Sequence, residues 1–272
     1  MANNVLDNSK ISKHLGQTSQ YKSTYDPDLL VREPRSNNRE YLNIFEDDLP
    51  FVGSDTWNAY ECSFLLNNGR PVTGVVKCVY PCSSKYIVES KSIKLYFNSF
   101  NMTKMGASKE DAILSFEEDA SVDLSELLET KVKVKFQDGD RVNKKFDSPN
   151  MEWEIDDYHN VDLLDDHEDF VYTQYTEDPS LLEGVSRERD LEQKFYSGLL
   201  KSNCRVTSQP DWGDVFIYIK SKTAIDAHSI KNYVVSYRDE CHFHEEICEC
   251  FYKRLKDAFD PSELLVMCLY AR

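Results

Sequence analysis

Apolar residues are unevenly spread along this chain. From Met1 to about Phe45 they are sparse and scattered, which predicts an N-terminal extension draped over a core. From Trp57 the pattern tightens. Residues 57–66 and 71–80 read as two strands joined through Asn67-Asn68-Gly69, a strong turn signal. Residues 86–97 are rich in β-branched and aromatic side chains, and helix formers follow over 106–130. Lys131-Val132-Lys133-Val134-Lys135-Phe136 alternates strictly, the period of a half-buried strand. Residues 137–186 are acidic and rich in turn formers, which predicts a linker or surface insertion. Folded patterning resumes near Arg187. Val215–Ile219 is strongly β-prone, and Phe243, Ile247, Phe251, Leu255 and Phe259 recur every fourth residue, predicting an amphipathic helix over 241–259. Leu264–Tyr270 reads as a last apolar strand.

The two patterned stretches are related. Residues 89–100 read ESKSIKLYFNSF and residues 226–237 read DAHSIKNYVVSY. Five of twelve positions coincide, where unrelated segments share roughly one. This predicts two tandem copies of one α+β module offset by 137 residues. The expected organisation is an extension over 1–45, a first module over 46–136, an acidic linker over 137–186 and a second module over 187–272. The copies differ where chemistry would sit: Glu89 and Lys91 in the first become Asp226 and His228 in the second. That divergence predicts a division of labour between them.

Composition narrows the function classes. Of 272 residues, 40% are hydrophobic and 12% aromatic, so a sizeable core is expected. No run of 18 apolar residues exists to form a membrane-spanning helix. The start, MANNVLDNSKISKHLG, lacks the apolar centre of a signal peptide, so a cytoplasmic chain with its eight cysteines reduced is expected. The net charge of −16 would repel a phosphate backbone, which argues against direct nucleic-acid binding. Lys85, Lys91, Lys94 and Lys104 are the local basic exceptions.

Three constellations carry candidate chemistry. Cys204 lies in KSNCRVTSQPDWGD, whose polar flanks and turn formers predict a structured loop, with Asp211 seven residues on. A thiol at its ordinary pKa is only about 3% ionised at neutral pH, so nucleophilic work needs a nearby base or cation. The second is CHFHEEICEC, residues 241–250, where helical spacing would pair His244 with Cys248 and Cys241 with Glu245. Zinc, a metal-free His244–Glu245 pair and a plain core helix are the open readings; the spacing of Cys241, Cys248 and Cys250 does not favour zinc. The third is Glu89-Ser90-Lys91-Ser92-Ile93-Lys94. Glu89 could accept two hydrogen bonds from an NH–C–NH2 edge, and Lys91 and Lys94 could hold phosphate, unless the stretch is simply a solvated edge. No GxGxxG or Walker loop is present.

These residues resemble a known family. VESKSIKLYFNSFN is similar to the signature of the NADPH-dependent 7-cyano-7-deazaguanine reductases, the nitrile reductases of queuosine biosynthesis. LLKSNCRVTSQPDWGDV resembles their catalytic loop, and Phe243-His244-Glu245 their purine-binding helix. The likeness runs from about Asn43 to Arg272 and is to the long, two-module form. It implies tandem tunnelling-fold (T-fold) modules, antiparallel sheets backed by helices in an α+β class. It implies Cys204 as the nucleophile that forms a thioimide and Asp211 as proton donor. By the same resemblance Val88, Glu89, Ser90, His244 and Glu245 bind the deazapurine, and Ser90 and Lys91 meet NADPH, with Lys94 a further phosphate candidate. It implies no metal, and a homodimer. The family continues past its final strand with an Arg-Gly-Gly-containing stretch that helps hold NADPH, whereas this sequence runs to Tyr270-Ala271-Arg272. The competing reading is a zinc-dependent cyclohydrolase-like enzyme of the same fold.

Overall fold

The computed structural model describes residues 22–138, 157–164, 171–205 and 208–271. The chain divides into two compact units, Met1–Pro149 and Asn150–Arg272.

The first unit begins with β1 (Arg32–Pro34) and the short helix α1 (Ser36–Arg39), followed by the hairpin β2 (Ser54–Leu66) and β3 (Pro71–Pro81). Gly69 turns the hairpin with a left-handed φ of 87°, while the Asn68 side chain accepts from the Arg70 amide. The expected turn therefore forms, for the expected reason. Next come β4 (Tyr86–Val88), α2 (Ser90–Ser99), β5 (Lys104–Gly106), α3 (Lys109–Leu128) and β6 (Lys133–Asp138). The sheet order is β5-β2-β3-β6, antiparallel except that β5 runs parallel to β2. Ser108 caps α3 through the Asp111 amide. Ala112, Phe116, Ala120, Leu124 and Leu128 form its buried stripe and pack on Phe64, Phe100 and Phe136.

The stretch expected to be an extension is, over residues 22–45, part of this unit; residues 1–21 lie outside the described residues. β1 pairs antiparallel with β4, Tyr25 packs on Phe100, and Leu30, Leu42 and Ile44 are buried. Arg35 and Arg39 are buried too: Arg35 meets Asp55 and Ser84, and Arg39 donates to the Cys82 carbonyl. A buried guanidinium held by such partners looks like a solvated residue in sequence, which is why the stretch reads as loose.

The second unit starts with β7 (His159–Asn160) and continues with β8 (Gly184–Cys204), β9 (Pro210–Ile225), α4 (Ala227–Val235), β10 (Cys241–His242), α5 (His244–Phe259) and β11 (Glu263–Ala271). The sheet order is β10-β8-β9-β11, and β7 also pairs with β8. β10 and β7 run parallel to β8, and the other pairs are antiparallel. Of the expected acidic linker, Gln137 and Asp138 end β6 of the first unit, and the described residues from 157 on are built into the second. Val161 is buried, Asp162 accepts from Ser197 and Gly198, and Glu177 pairs with Arg254 and Tyr233. Residues 139–156 and 165–170 of that stretch lie outside the described residues.

The internal repeat is a repeat of hydrogen bonds. Glu89 caps α2 through the Lys91 and Ser92 amides, and Asp226 caps α4 through the His228 amide. Ser92 and Ser229 each donate to the carbonyl three residues back, at 2.7 and 2.6 Å. Tyr96 meets Phe100, and Tyr233 meets Tyr237, edge-on at 5.3 and 5.5 Å. Each first tyrosine donates to an acid, Asp123 or Glu177. Both units thus combine an antiparallel-rich sheet with two helices of ten or so residues and upward, as the α+β expectation required.

Two residues of α3 give a direct check on this packing. Phe116→Ala should lower the free energy of unfolding by about 3–5 kcal/mol, because Phe116 is wholly buried among four aromatic rings. Leu114→Ala, at a position 62% exposed, should change it by no more than about 0.5 kcal/mol. Urea unfolding followed by circular dichroism measures both.

Candidate active site

Cys204 is the last residue of β8, at the neck of the β8–β9 connection rather than out in its loop. Its amide donates to the Gln209 carbonyl and its carbonyl accepts from the Ser208 amide, both at 2.8 Å. Ser208 takes a left-handed φ of 53° to close the turn. The thiol is 4% exposed.

Register decides what shares its face. Ser202 pairs with Asp211 across β8–β9, Leu200 pairs with Gly213, and Gly213 pairs with Tyr270 across β9–β11. Paired residues, and residues two apart on one strand, point the same way. Cys204, Ser202, Asp211, Gly213 and Tyr270 therefore all face one side, and Trp212 faces the other, where it is exposed. Asp211 lies diagonally across from Cys204.

Helix α5 brings the next groups. It starts at His244, three residues later than the 241–259 pattern predicts, because Cys241 and His242 are extended as β10 against Asn203 and Cys204. The predicted helical pairing of Cys241 with Glu245 consequently does not form. Phe243 is the N-cap, and Glu246 reaches back to its amide at 2.9 Å. The first turn then presents His244, whose Nε2 lies 3.3 Å from Asp211 Oδ2, and Glu245, which is buried. The His244 ring stacks on Tyr270 at 3.8 Å with 2° between the planes. A Cβ at position 213 would come within 3.0 Å of that Tyr270 ring, so glycine there leaves the tyrosine its place. Burial pushes the Tyr270 hydroxyl pKa well up, so it stays protonated.

Polar atoms without hydrogen bonds gather here. Four buried side-chain polar atoms among the described residues have no well-aligned partner, and three of them are Ser202 Oγ, His244 Nε2 and Tyr270 Oη. Ser202 is nonetheless near enough to Tyr270 to influence its ionisation. Buried polar atoms without a well-aligned partner cost free energy, so these three are suited to meet a polar group.

A charged cluster braces the same elements. His242 lies between two carboxylates, with Nε2 3.0 Å from Glu240 and Nδ1 3.3 Å from Glu246. Arg205 holds the other oxygen of Glu246 at 2.8 Å. Burial works against a charge on His242, but its hydrogen bonds to Glu240 and Glu246, and their negative charges, outweigh it and raise its pKa to about 9. The His242 hydrogen bond in turn holds Glu240 below the ordinary carboxylate range.

The remaining candidates sit together in the first unit, where β4 meets α2. Val88 and Glu89 are almost fully buried and Ser90 nearly so. Glu89 accepts from the Lys91 amide and the Ser90 hydroxyl on Oε1, at 3.0 and 3.4 Å, and from the Ser92 amide on Oε2 at 2.7 Å, which leaves acceptor capacity on Oε2. Because those amides are already capped, an anion would meet the Lys91 ammonium and the Ser90 hydroxyl rather than the helix end. Lys94 is paired with Glu61 at the surface. A cavity of about 560 Å³ lies elsewhere, beside Asp226, His228 and Ser229, the repeat counterparts of Glu89, Lys91 and Ser92. Among the described residues no group of three or more His, Cys, Asp or Glu side chains is arranged to hold a metal ion. Tyr270, Gly213, Ser202 and His242 escaped sequence reasoning. Ser202, Gly213 and His242 lie inside the motifs singled out in the sequence, but only strand pairing and helix packing show that they and Tyr270 belong beside Cys204.

Comparison with known proteins agrees with this reading. Residues 21–136 match the family model described as the N-terminal part of nitrile reductase, 7-cyano-7-deazaguanine reductase, and residues 210–272 match one described as QueF-like protein. A relative from Colwellia psychrerythraea is 37% identical over all of this chain and 91% of its own length. Relatives from Rickettsia massiliae and Rickettsia bellii are 38% and 35% identical over 95% of this chain and 88% of theirs. Each is named an NADPH-dependent 7-cyano-7-deazaguanine reductase. The chain belongs to that family, and its two units are tunnelling-fold modules.

The titration of His242 has a consequence for stability. A group that binds its proton more tightly when folded stabilises the fold fully below its unfolded pKa, near 6.5, and loses that contribution as pH rises through its folded pKa, about 9. Glu240 acts oppositely, losing its contribution as pH falls through its lowered value. The urea midpoint should decline between neutral pH and pH about 9.5, and His242→Gln should flatten that decline.

Proposed function

We propose that this member of the family reduces the nitrile of 7-cyano-7-deazaguanine to the aminomethyl group of 7-aminomethyl-7-deazaguanine, a step of queuosine biosynthesis. NADPH supplies the hydride, two equivalents per nitrile. The observation that carries the reading is one face of the second unit, which holds a buried thiol, a carboxyl, an imidazole and three polar atoms without aligned partners.

A nitrile carbon is a weak electrophile, and covalent addition changes that. The Cys204 sulfur bonds to the nitrile carbon and the nitrogen takes up a proton, giving a thioimide. Asp211, on the same face and 92% buried, is the group placed to supply that proton. His244 lies against Asp211 and is held flat by Tyr270, so its ring can orient the carboxyl and accept or return the proton. Reduction of the thioimide carbon by the first hydride would let the carbon–sulfur bond break, releasing the Cys204 thiolate and an imine, which the second hydride and a proton would reduce to the aminomethyl group. Burial of Cys204 and Asp211 favours exclusion of water from the adduct.

Glu245 and Glu89 are the carboxylates suited to accept from the NH–C–NH2 edge of a deazaguanine. Val88 lines the Glu89 position, and Ser90 and Lys91 are the donors suited to NADPH. Lys91 carries a positive charge and Ser90 a hydroxyl beside the capped end of α2, which is the donor set a phosphorylated cofactor needs. By the family resemblance the enzyme works as a cytoplasmic homodimer on the free base, and a net charge of −16 disfavours direct nucleic-acid binding. No described helix is long and apolar enough to cross a membrane.

Two measurements test the assignment. Mixed with 7-cyano-7-deazaguanine, the protein should gain the mass of one nitrile adduct, and Cys204→Ala should not; an adduct that survives the substitution would refute the nucleophile. Steady-state kinetics of Lys91→Ala should show the KM for NADPH raised about tenfold, the loss of one charge-assisted contact, with the KM for the nitrile little changed.

A further inference from the structure

We propose that His242 is a positioning residue for this reaction, clamping the end of the strand that carries Cys204 to the helix turn that carries His244 and Glu245. The inference rests on Cys204 being the nucleophile.

The geometry is continuous from the thiol to the helix. His242 is the register partner of Cys204 in the parallel β10–β8 pair, so their backbones are strand neighbours and their side chains lie on one side. β10 is only two residues long, and the Asn203 amide donating to the Glu240 carbonyl is its lead-in. So short a strand does little to hold itself in place. The His242 side chain supplies what the ladder lacks. Nε2 bonds backward to Glu240, and Nδ1 bonds forward to Glu246 in the first turn of α5. Glu246 then holds the Phe243 amide, the residue immediately before His244. One imidazolium thereby ties the turn before β10 to the start of α5, four residues on.

The charges around it define how it acts. Glu240 faces it from the preceding turn, Glu246 from α5, and Arg205 from the end of β8, where a guanidinium nitrogen lies 3.4 Å from Nδ1. Arg205 also covers the Phe243 ring, and Glu240 accepts from the Glu177 amide, whose carboxylate is taken by Arg254. Cys204, Asp211 and Tyr270 are further titratable groups on that side of the sheet. Two carboxylates and two cations make the cluster neutral, so its contribution is to geometry and not to a net positive field at the thiol. Loss of the His242 proton undoes this. Only one ring nitrogen can then donate, so one carboxylate loses its hydrogen bond to the ring while keeping its other donors, and the cluster gains a negative charge beside Cys204, which disfavours the thiolate.

The pH dependence of adduct formation tests this. The rate constant for thioimide formation is followed by absorbance or intact mass from pH about 6 to 10. In the unmodified protein it should rise as the thiol ionises and then fall with a midpoint near 9, the pKa to which His242 is raised. His242→Gln should lower the rate at neutral pH by about tenfold, the scale of a small misplacement of reacting groups, and should abolish the alkaline fall. Glu240→Gln removes one of the two carboxylates that hold the proton, so it should keep the fall and move its midpoint toward neutral pH. That second variant decides the matter even if His242→Gln does not fold. An alkaline fall of unchanged midpoint in Glu240→Gln, or a His242→Gln rate profile like that of the unmodified protein, would overturn the proposal while leaving Cys204 as nucleophile. Absence of any adduct in the unmodified protein would instead sink the Cys204 assignment itself.

Discussion

Ser202 faces Asp211 across one ladder and Gly213 faces Tyr270 across the next, and almost everything in the second unit's candidate site follows from that pairing. Strand side chains alternate between two faces, so a slip of one residue between β8 and β9 would send Asp211 to the side opposite Cys204. The register is held from several directions. The Cys204 backbone closes the connecting turn through Gln209 and Ser208. Buried Leu200, Val215, Ile217 and Ile219 fix which face is covered. Gly213 lets the Tyr270 ring lie against β9, and that ring in turn sets the plane of His244. The reacting groups are thus arranged by hydrogen-bonded backbone, which is stiffer than any set of side-chain contacts.

The apolar stripe of α5 is buried, and its first turn, which completes the site, is held by charge. Buried ions are costly, and a cluster survives only where each charge has partners. Around His242 the partners come from three segments: the turn before β10, the end of β8 and the first turn of α5. These segments flank Cys204 and the His244–Glu245 step. A plain apolar contact in their place would bury as much area, but it would not specify direction. Hydrogen-bonded ion pairs do, since each demands a donor and an acceptor at a set distance and angle.

Duplication explains the economy of the fold and also its asymmetry. The caps of α2 and α4, the serines bonded three residues back and the edge-on aromatic pairs recur almost unchanged. Such features hold the scaffold, and both copies need them. Two residues after each cap the copies differ, with Lys91 in the first standing against His228 in the second. The proposed division of labour places cofactor contacts on the first copy and covalent chemistry on the second.

Local patterns in the sequence determined a good deal. The Asn67-Asn68-Gly69 turn signal marked the β2–β3 hairpin, alternation marked β6 and four-residue spacing marked α5, because each depends on neighbours within a few residues. The repeat at 89–100 and 226–237 was legible for the same reason, since caps and helix faces are local. Cys204, Asp211 and His244 stood out by residue type and motif, and the family followed from them. Tertiary structure alone decided the rest. Arg35 and Arg39 read as solvated, yet they are buried, because their partners lie far along the chain. Glu177 reads as part of an acidic linker, yet it holds Arg254 and Tyr233. The start of α5 shifted because β10 pairs with β8, and Tyr270, Gly213 and His242 joined the site through register and packing. Contacts between residues distant in the chain leave no periodicity to read, so only the folded backbone could bring these groups to the thiol.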